Sequence, residues 1–154
     1  MELQRGLAYL FAGPSADASY AAFNELLAGG ARGLCLTRHN PDIIRERYGL
    51  KCPVIWLART DRASENYQNV HPEHILKIHT IVTVFLRIEG DSVIILDGLE
   101  YLVMNNDFTS VLKLLSLINE HIALTRARLL IPINPSALEP KELGLLEREC
   151  HKAE

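Results

Sequence analysis

Short apolar runs alternate with longer segments of helical periodicity along the whole chain. Brief, largely apolar runs predict buried strands at Gly6–Phe11, Gly33–Thr37, Val54–Ala58, Ser92–Asp97 and Arg128–Ile133. Strands that alternate with helices are typical of a parallel sheet covered on both faces and joined by right-handed crossovers. We therefore expect an α/β three-layer sandwich with a mostly parallel sheet of about five strands.

Helical spacing of apolar residues, together with start and stop signals, predicts the elements between these strands. Asn40 before Pro41 combines a favoured cap residue with a proline at the first helical position, and Gly49 ends that helix. The stretch from Arg59 to Val70 is polar and is expected to be a loop. The other predicted helices span Asp17–Leu27, His71 to Gly90, Phe108–Leu124 and Leu138–Cys150.

Composition narrows the class of protein. A chain of 154 residues with 48% apolar content fits a single domain over residues 1–154. The 16 basic and 19 acidic residues are interspersed and leave a net charge of -3, so neither nucleic acid nor a membrane surface is an expected partner. No run approaches the roughly 18 apolar residues of a membrane span, and the first residues do not resemble a signal peptide. We expect a cytoplasmic protein.

Polar residues at the ends of two predicted strands are the candidates for a binding site. Asp97 follows an apolar strand, Glu100 comes shortly after it, and Arg38 and His39 follow another strand. The carboxyl ends of parallel strands are where α/β proteins usually bind ligands. The carboxylates could hold a divalent ion and the basic pair an anion. For Asp97 a structural role is favoured, in which it is buried and accepts hydrogen bonds from backbone N–H groups of the turn at 98–100 or of a neighbouring loop.

Histidine and cysteine patterns favour neither a metal site nor a nucleophile. The spacing of His71, His74 and His79 does not place all three on one helical face, so no metal is expected. The 3 cysteines are widely separated and form no CxxC pair, which indicates reduced thiols.

Several blocks of the sequence together carry a resemblance to a known family. The most specific is ILDGLEYL at 95–102, and the others are GLCLTR at 33–38, NP at 40–41, IWL at 55–57 and LLERE at 145–149. These blocks resemble the archaeal family called domain of unknown function 835. That family in turn is similar to a degenerate RecA-type domain, distantly related to KaiC-like ATPases. The resemblance implies a sheet in the RecA-like strand order.

Comparison with a working ATPase of that type shows two losses. A P-loop of the form GxxxxGK[ST] would fall on Gly13 to Tyr20, where Ala18 replaces the second glycine, Ser19 replaces the lysine and Asp17 adds a negative charge. KaiC-like enzymes also carry acidic residues after the second strand, where this chain has Arg38 and His39. We therefore expect no enzymatic activity and no cofactor.

These observations favour a non-catalytic RecA/KaiC-like module for protein–protein contacts or signalling. Its partners would be a second copy of the chain and, as the resemblance implies, a signalling or KaiC-like ATPase protein. The alternative is a sensor domain that binds a nucleotide or small anion at the carboxyl edge of the sheet through Arg38, His39, Asp97 and Glu100. A hydrolase with an unconventional site is the third hypothesis.

The expected self-association comes from an excess of apolar residues on two predicted helices. In the helix that begins at Phe108, Leu112 and Leu115 could point outward if Val111 and Ile118 face the sheet. A closed two-fold pairing is the commonest way to cover such a surface. Leu112 and Leu115 are therefore the interface candidates of a homodimer.

Overall fold

The computed structural model describes residues 2–62 and 64–153, and at its centre is one seven-stranded sheet with parallel neighbours throughout. The strands span Leu7–Ala12 (β1), Arg32–Thr37 (β2), Val54–Leu57 (β3), Gln68–Val70 (β4), Ser92–Asp97 (β5), Arg128–Ile133 (β6) and His151–Lys152 (β7). Across the sheet they lie in the order β4-β3-β2-β5-β6-β1-β7. The predicted α/β class with a parallel sheet is confirmed.

Helices cover both faces of this sheet and enclose two separate hydrophobic cores. The helices span Asp17–Ala28 (α1), Pro41–Tyr48 (α2), Ile75–Leu86 (α3), Leu99–Asn105 (α4), Phe108–Thr125 (α5) and Pro140–Glu149 (α6). Successive strand residues point to opposite faces, so in β5 Ile95 packs with the core under α1 and α2, while Ile94 packs with the core under α3, α4, α5 and α6.

The sheet has two strands more than the five predicted. β4 lies inside the stretch expected to be a loop, and β7 follows the last helix. Both are short and polar, so neither shows the apolar alternation that indicates a strand. Backbone pairing holds them instead: Gln68 is in register with Ile55, and His151 with Tyr9.

Local start signals located α2 correctly and placed the start of α3 too early, while α4 was not predicted. Asn40 caps α2 as predicted, since its Oδ1 accepts from the backbone N–H groups of Asp42 at 2.9 Å and Ile43 at 3.4 Å, and Gly49 ends the helix at a φ of 65°. α3 begins at Ile75 rather than at the His71–Pro72 pair, because His74 N donates to His71 O in a turn before the helix. α4 is too short for its periodicity to stand out from the sequence.

The structure corrects the predicted dimer interface. Leu115 is only 1% exposed, and Leu112 is partly buried against the same core. α5 contacts α3 on one side and α6 on the other, so a wider arc of the helix is covered than one sheet face alone would cover. The exposed leucines of α5 are Leu117 and Leu124, at 47% and 81%.

Two further expectations concern cysteines and membranes. Cys35, Cys52 and Cys150 are free and buried, as predicted for reduced thiols. Within residues 2–62 and 64–153, no helix combines the length and the apolar character that a membrane crossing requires.

Candidate functional site

The carboxyl ends of β1, β2, β5 and β6 meet around a cavity of about 300 Å³. The loop at 13–16 follows β1, His39 follows β2, Asp97 ends β5 and Asn134 follows β6. All of these residues line the cavity, together with Asp17, Arg47, Tyr48 and Glu100. A parallel sheet with helices on both faces brings these strand ends together at one edge, as the sequence predicted.

Asp97 is buried at the floor of this edge, with 8% of its surface exposed. Its Oδ2 accepts a hydrogen bond from Tyr20 Oη at 2.7 Å and another from Thr37 Oγ1 at 3.3 Å, and His39 Nε2 lies 3.9 Å away. The predicted burial is confirmed, but the predicted backbone donors are wrong. Asp97 follows Ile95 by two positions and so points to the face of α1, whereas α4 packs on the opposite face.

Tyr20 stands where a P-loop carries its serine or threonine. In P-loop enzymes that hydroxyl and the aspartate at the end of a neighbouring strand hold Mg²⁺ between them. Here the Tyr20 hydroxyl is bonded directly to the Asp97 carboxylate, and the Tyr20 ring is fully buried. Burial is the main reason that the pKa of Tyr20 is raised far above its ordinary value, so the hydroxyl stays protonated and donates.

A second tyrosine extends this contact to α2 and to the start of α1. The rings of Tyr20 and Tyr48 are stacked with centroids 4.0 Å apart, and Tyr48 Oη donates to Asp17 Oδ1 at 2.6 Å. Burial, followed by the hydrogen bond to Asp17, raises the pKa of Tyr48 to about 12. Asp17, the carboxylate that would face a triphosphate in a P-loop, is therefore held by a residue of α2.

Ser19 falls where the P-loop pattern has its phosphate-binding lysine, and it makes a hydrogen bond within its own helix instead. It is fully buried, and its Oγ donates to Ala16 O at 2.8 Å across the first turn of α1. A lysine at this place would reach the phosphates as a positive charge. The serine instead satisfies a backbone carbonyl of its own helix, so this loop supplies no cation to a nucleotide.

The remaining candidates separate into two groups. His39, Asp97 and Glu100 do line one cavity, as expected of residues that share a site. Arg38 does not line it: the guanidinium lies 4.6 Å from the centre of the Tyr101 ring in α4. The predicted basic pair is thus divided.

Glu100 is the unusual carboxyl of the cavity. Its Oε1 is buried and has no hydrogen-bond partner among the described residues. Burial raises the pKa of Glu100, and the nearby Asp97 carboxylate raises it further. With Asp17 and Asp97, three carboxyl groups line the cavity against the side chains of Arg47 and His39. That balance is unfavourable for a triphosphate.

Sequence reasoning missed the two tyrosines that fill this edge. Tyr20 and Tyr48 lie on the apolar stripes of their helices, a pattern that is typical of core residues rather than of a site. A signal for Tyr20 was present, since it occupies the [ST] position of the degraded motif. No comparable signal marks Tyr48, because its contact with Asp17 joins residues 31 positions apart.

Removing the Tyr20 hydroxyl is expected to destabilise the protein. Tyr20→Phe leaves the buried Asp97 carboxylate with one donor fewer, which should lower the free energy of unfolding by about 1–3 kcal/mol. Tyr48→Phe is the matched control, because it removes a more exposed hydrogen bond, and should cost about 1 kcal/mol or less. Urea unfolding followed by circular dichroism measures both. Equal unfolding midpoints for Tyr20→Phe and the parent would contradict the role given to this bond.

The raised pKa of Glu100 gives a dependence of stability on pH with a definite sign. The folded pKa lies above the unfolded value, so the contribution of Glu100 is fully present below the unfolded pKa and is lost as the pH rises through the folded pKa. Glu100→Gln should therefore be more stable than the parent at about pH 7, with a smaller difference at about pH 4.

Urea unfolding at both pH values measures this change. The control is Glu46→Gln, at an exposed position of α2, which should alter stability little at either pH. A Glu100→Gln variant that is less stable than the parent at neutral pH would show that the carboxylate stabilises the fold instead.

Solved structures with the same fold share little sequence with this chain. A Pyrococcus horikoshii OT3 protein, studied as Project ID PH0250, has a TM-score of 0.65 at 9% identity, over 96% of this chain and 80% of that one. Flagellar accessory protein FlaH from Methanocaldococcus jannaschii has a TM-score of 0.62 at 13% identity, over 96% of this chain and 70% of that one. At such identities the likeness concerns the fold alone.

Sequence comparison gives the family. No curated protein matches the chain. A family model described as "Protein of unknown function (DUF835)" matches residues 14–150, which include the loop after β1, the Asp97 strand and the last helix. The chain therefore belongs to the DUF835 family.

Proposed function

We propose that this chain is a cytoplasmic, non-catalytic domain of RecA/KaiC-like type that acts through contacts with other proteins. The observation that carries the proposal is the 2.7 Å hydrogen bond between Tyr20 Oη and Asp97 Oδ2. It joins the two positions that would otherwise share a magnesium ion, and the tyrosine ring fills the space between α1 and β5.

The alternative of a nucleotide or anion sensor at the same edge has less support. Arg38 is turned towards Tyr101, so the expected pair of cations is reduced to His39, with Arg47 contributed by α2. The carboxyl groups of Asp17, Asp97 and Glu100 would repel a phosphate group. A protein-binding role requires no ligand at this edge.

A surface for protein contacts lies where α3 and α5 meet. Leu76 is 82% exposed and Leu124 81%, and a patch formed by such residues is typical of a site for protein contacts. The rings of His79 and His121 touch across the two helices with centroids 5.6 Å apart. Leu76 is three residues from His79, and Leu117 and Leu124 are four and three residues from His121, spacings that share a helix face. We call Leu76, Leu117 and Leu124 the α3–α5 surface.

The occupant that we propose for the α3–α5 surface is a second copy of the chain. A two-fold pairing would bring the leucines of one copy against those of the other and remove them from water together. A stable interface would bury about 1,200 Å² or more in total. The same surface would also serve a signalling or KaiC-like ATPase partner, in which case the copies would not pair.

We expect no ATP turnover. With neither the lysine nor the second glycine of the P-loop, and with Tyr20 bonded to Asp97, neither the phosphates nor magnesium would be positioned, and each loss slows phosphoryl transfer by orders of magnitude. Phosphate release from MgATP measures activity, and calorimetric titration with MgATP measures binding. Turnover above background that disappears in Asp97→Ala would refute the non-catalytic assignment, because a contaminating ATPase would not respond to that substitution.

We expect the protein to form a dimer of about twice 17.3 kDa that the double substitution Leu76→Glu and Leu124→Glu separates without unfolding. Both leucines are exposed, so the introduced carboxylates change the free energy of the folded monomer little. In an apolar interface the same charges would lose their hydration, which strongly disfavours the dimer. Light scattering measures the mass, and circular dichroism reports the fold.

Two variants serve as controls for this test. Met104→Glu changes an exposed residue of α4 and should leave the dimer intact, whereas Leu115→Glu changes a core residue and should unfold the protein. A parent protein that is monomeric at tens of micromolar would rule out self-association through this surface.

A further inference from the structure

A cavity of about 860 Å³ opens at the opposite end of the sheet, where the strands begin. It lies between the last turn of α1, the segment at 49–53 that leads into β3, and the end of α3. Leu27, Phe85 and Ile88 supply large apolar groups to its walls. A concave apolar site of this size is typical of those that bind small molecules.

The charged groups at this cavity are all basic. Arg32, the first residue of β2, and Lys51 line it, and none of the described lining residues is acidic. Asp91, whose backbone O accepts a hydrogen bond from Arg32 N at 2.9 Å, has its carboxylate paired with Arg128 at 3.0 Å and with Arg5 at 3.6 Å. Arg32 itself makes no ion pair within residues 2–62 and 64–153. The cavity thus presents positive charge without an internal counterion.

The Arg32 side chain is fixed in place but only partly used. Its Nη2 donates to Phe85 O at 3.2 Å, Ile88 O at 2.9 Å and Ser92 Oγ at 2.9 Å, so it caps the end of α3. The guanidinium also lies 4.6 Å from the centre of the Phe85 ring. Its Nε is buried and has no partner among the described residues. Nη1 donates no hydrogen bond to the described residues either. The guanidinium is therefore held in place by Nη2 alone, and its other N–H groups are not used.

We propose that this cavity binds a small amphipathic carboxylate, such as a medium-chain fatty acid, with its head group at Arg32 and Lys51 and its chain against Leu27, Phe85 and Ile88. Charge complementarity accounts for the head group, because an anion would pair with the two basic side chains and accept a hydrogen bond from Arg32 Nη1. The apolar walls account for the chain, which a purely polar anion such as phosphate lacks. This site is independent of the proposed protein contacts and of the edge that holds Asp97.

Calorimetric titration with decanoate tests the proposal on the whole chain. We expect saturable binding of decanoate, and none of decyltrimethylammonium, which has the same chain with a cationic head, or of inorganic phosphate. Absence of decanoate binding would overturn the proposal. Equal binding of the cationic amphiphile would overturn it as well, because the basic residues would then not select the ligand.

Substitutions at the cavity locate the binding. Arg32→Gln should weaken decanoate binding by about tenfold or more, since charged hydrogen bonds are lost. Lys51→Glu and Ile88→Glu should each weaken it several-fold; both positions are exposed, so these variants remain informative if Arg32→Gln does not fold. Lys77→Glu, at an exposed position of α3 away from the cavity, is the matched control and should bind as the parent does. Unchanged binding in Lys51→Glu and Ile88→Glu would place decanoate elsewhere and refute the site.

Discussion

The buried hydrogen bond between Tyr20 and Asp97 is the contact on which the carboxyl edge of the sheet depends. A carboxylate removed from water is unfavourable unless polar groups compensate it. Two hydroxyls do so here, from α1 and from β2, and the tyrosine ring is in turn held by its stack on Tyr48. This polar contact therefore links α1, α2 and β5 at the carboxyl edge, above the hydrophobic core that the same elements share.

Contacts within the protein also hold the first turn of α1, at the positions where a P-loop would bind phosphate. In a working P-loop the residues after the first strand leave space for phosphates and metal. In this chain Ser19 bonds back to its own helix, Asp17 is held by Tyr48, and Tyr20 bonds to Asp97. Each of these three side chains therefore makes its contact within the protein.

The sequence predicted what depends on local pattern, and it failed where distant residues decide the outcome. The five longer strands and the Asn40 cap follow from apolar runs and from residues next to one another. The pairing of Tyr20 with Asp97 joins residues 77 positions apart, so no window of sequence could reveal it. Leu115 was misjudged for a similar reason, because only the topology shows that α5 has helices on both sides.

The two ends of the sheet differ in how their charges are compensated. At the carboxyl end, hydroxyls of the chain itself satisfy Asp97, and the surplus of carboxyl groups opposes the anions that such edges commonly bind. At the other end, Arg32 stabilises the end of α3 but has no internal anion, and the space beside it is apolar. The two sites lie at opposite ends of β2, so the charge balance at one end of the sheet places no constraint on the charge balance at the other.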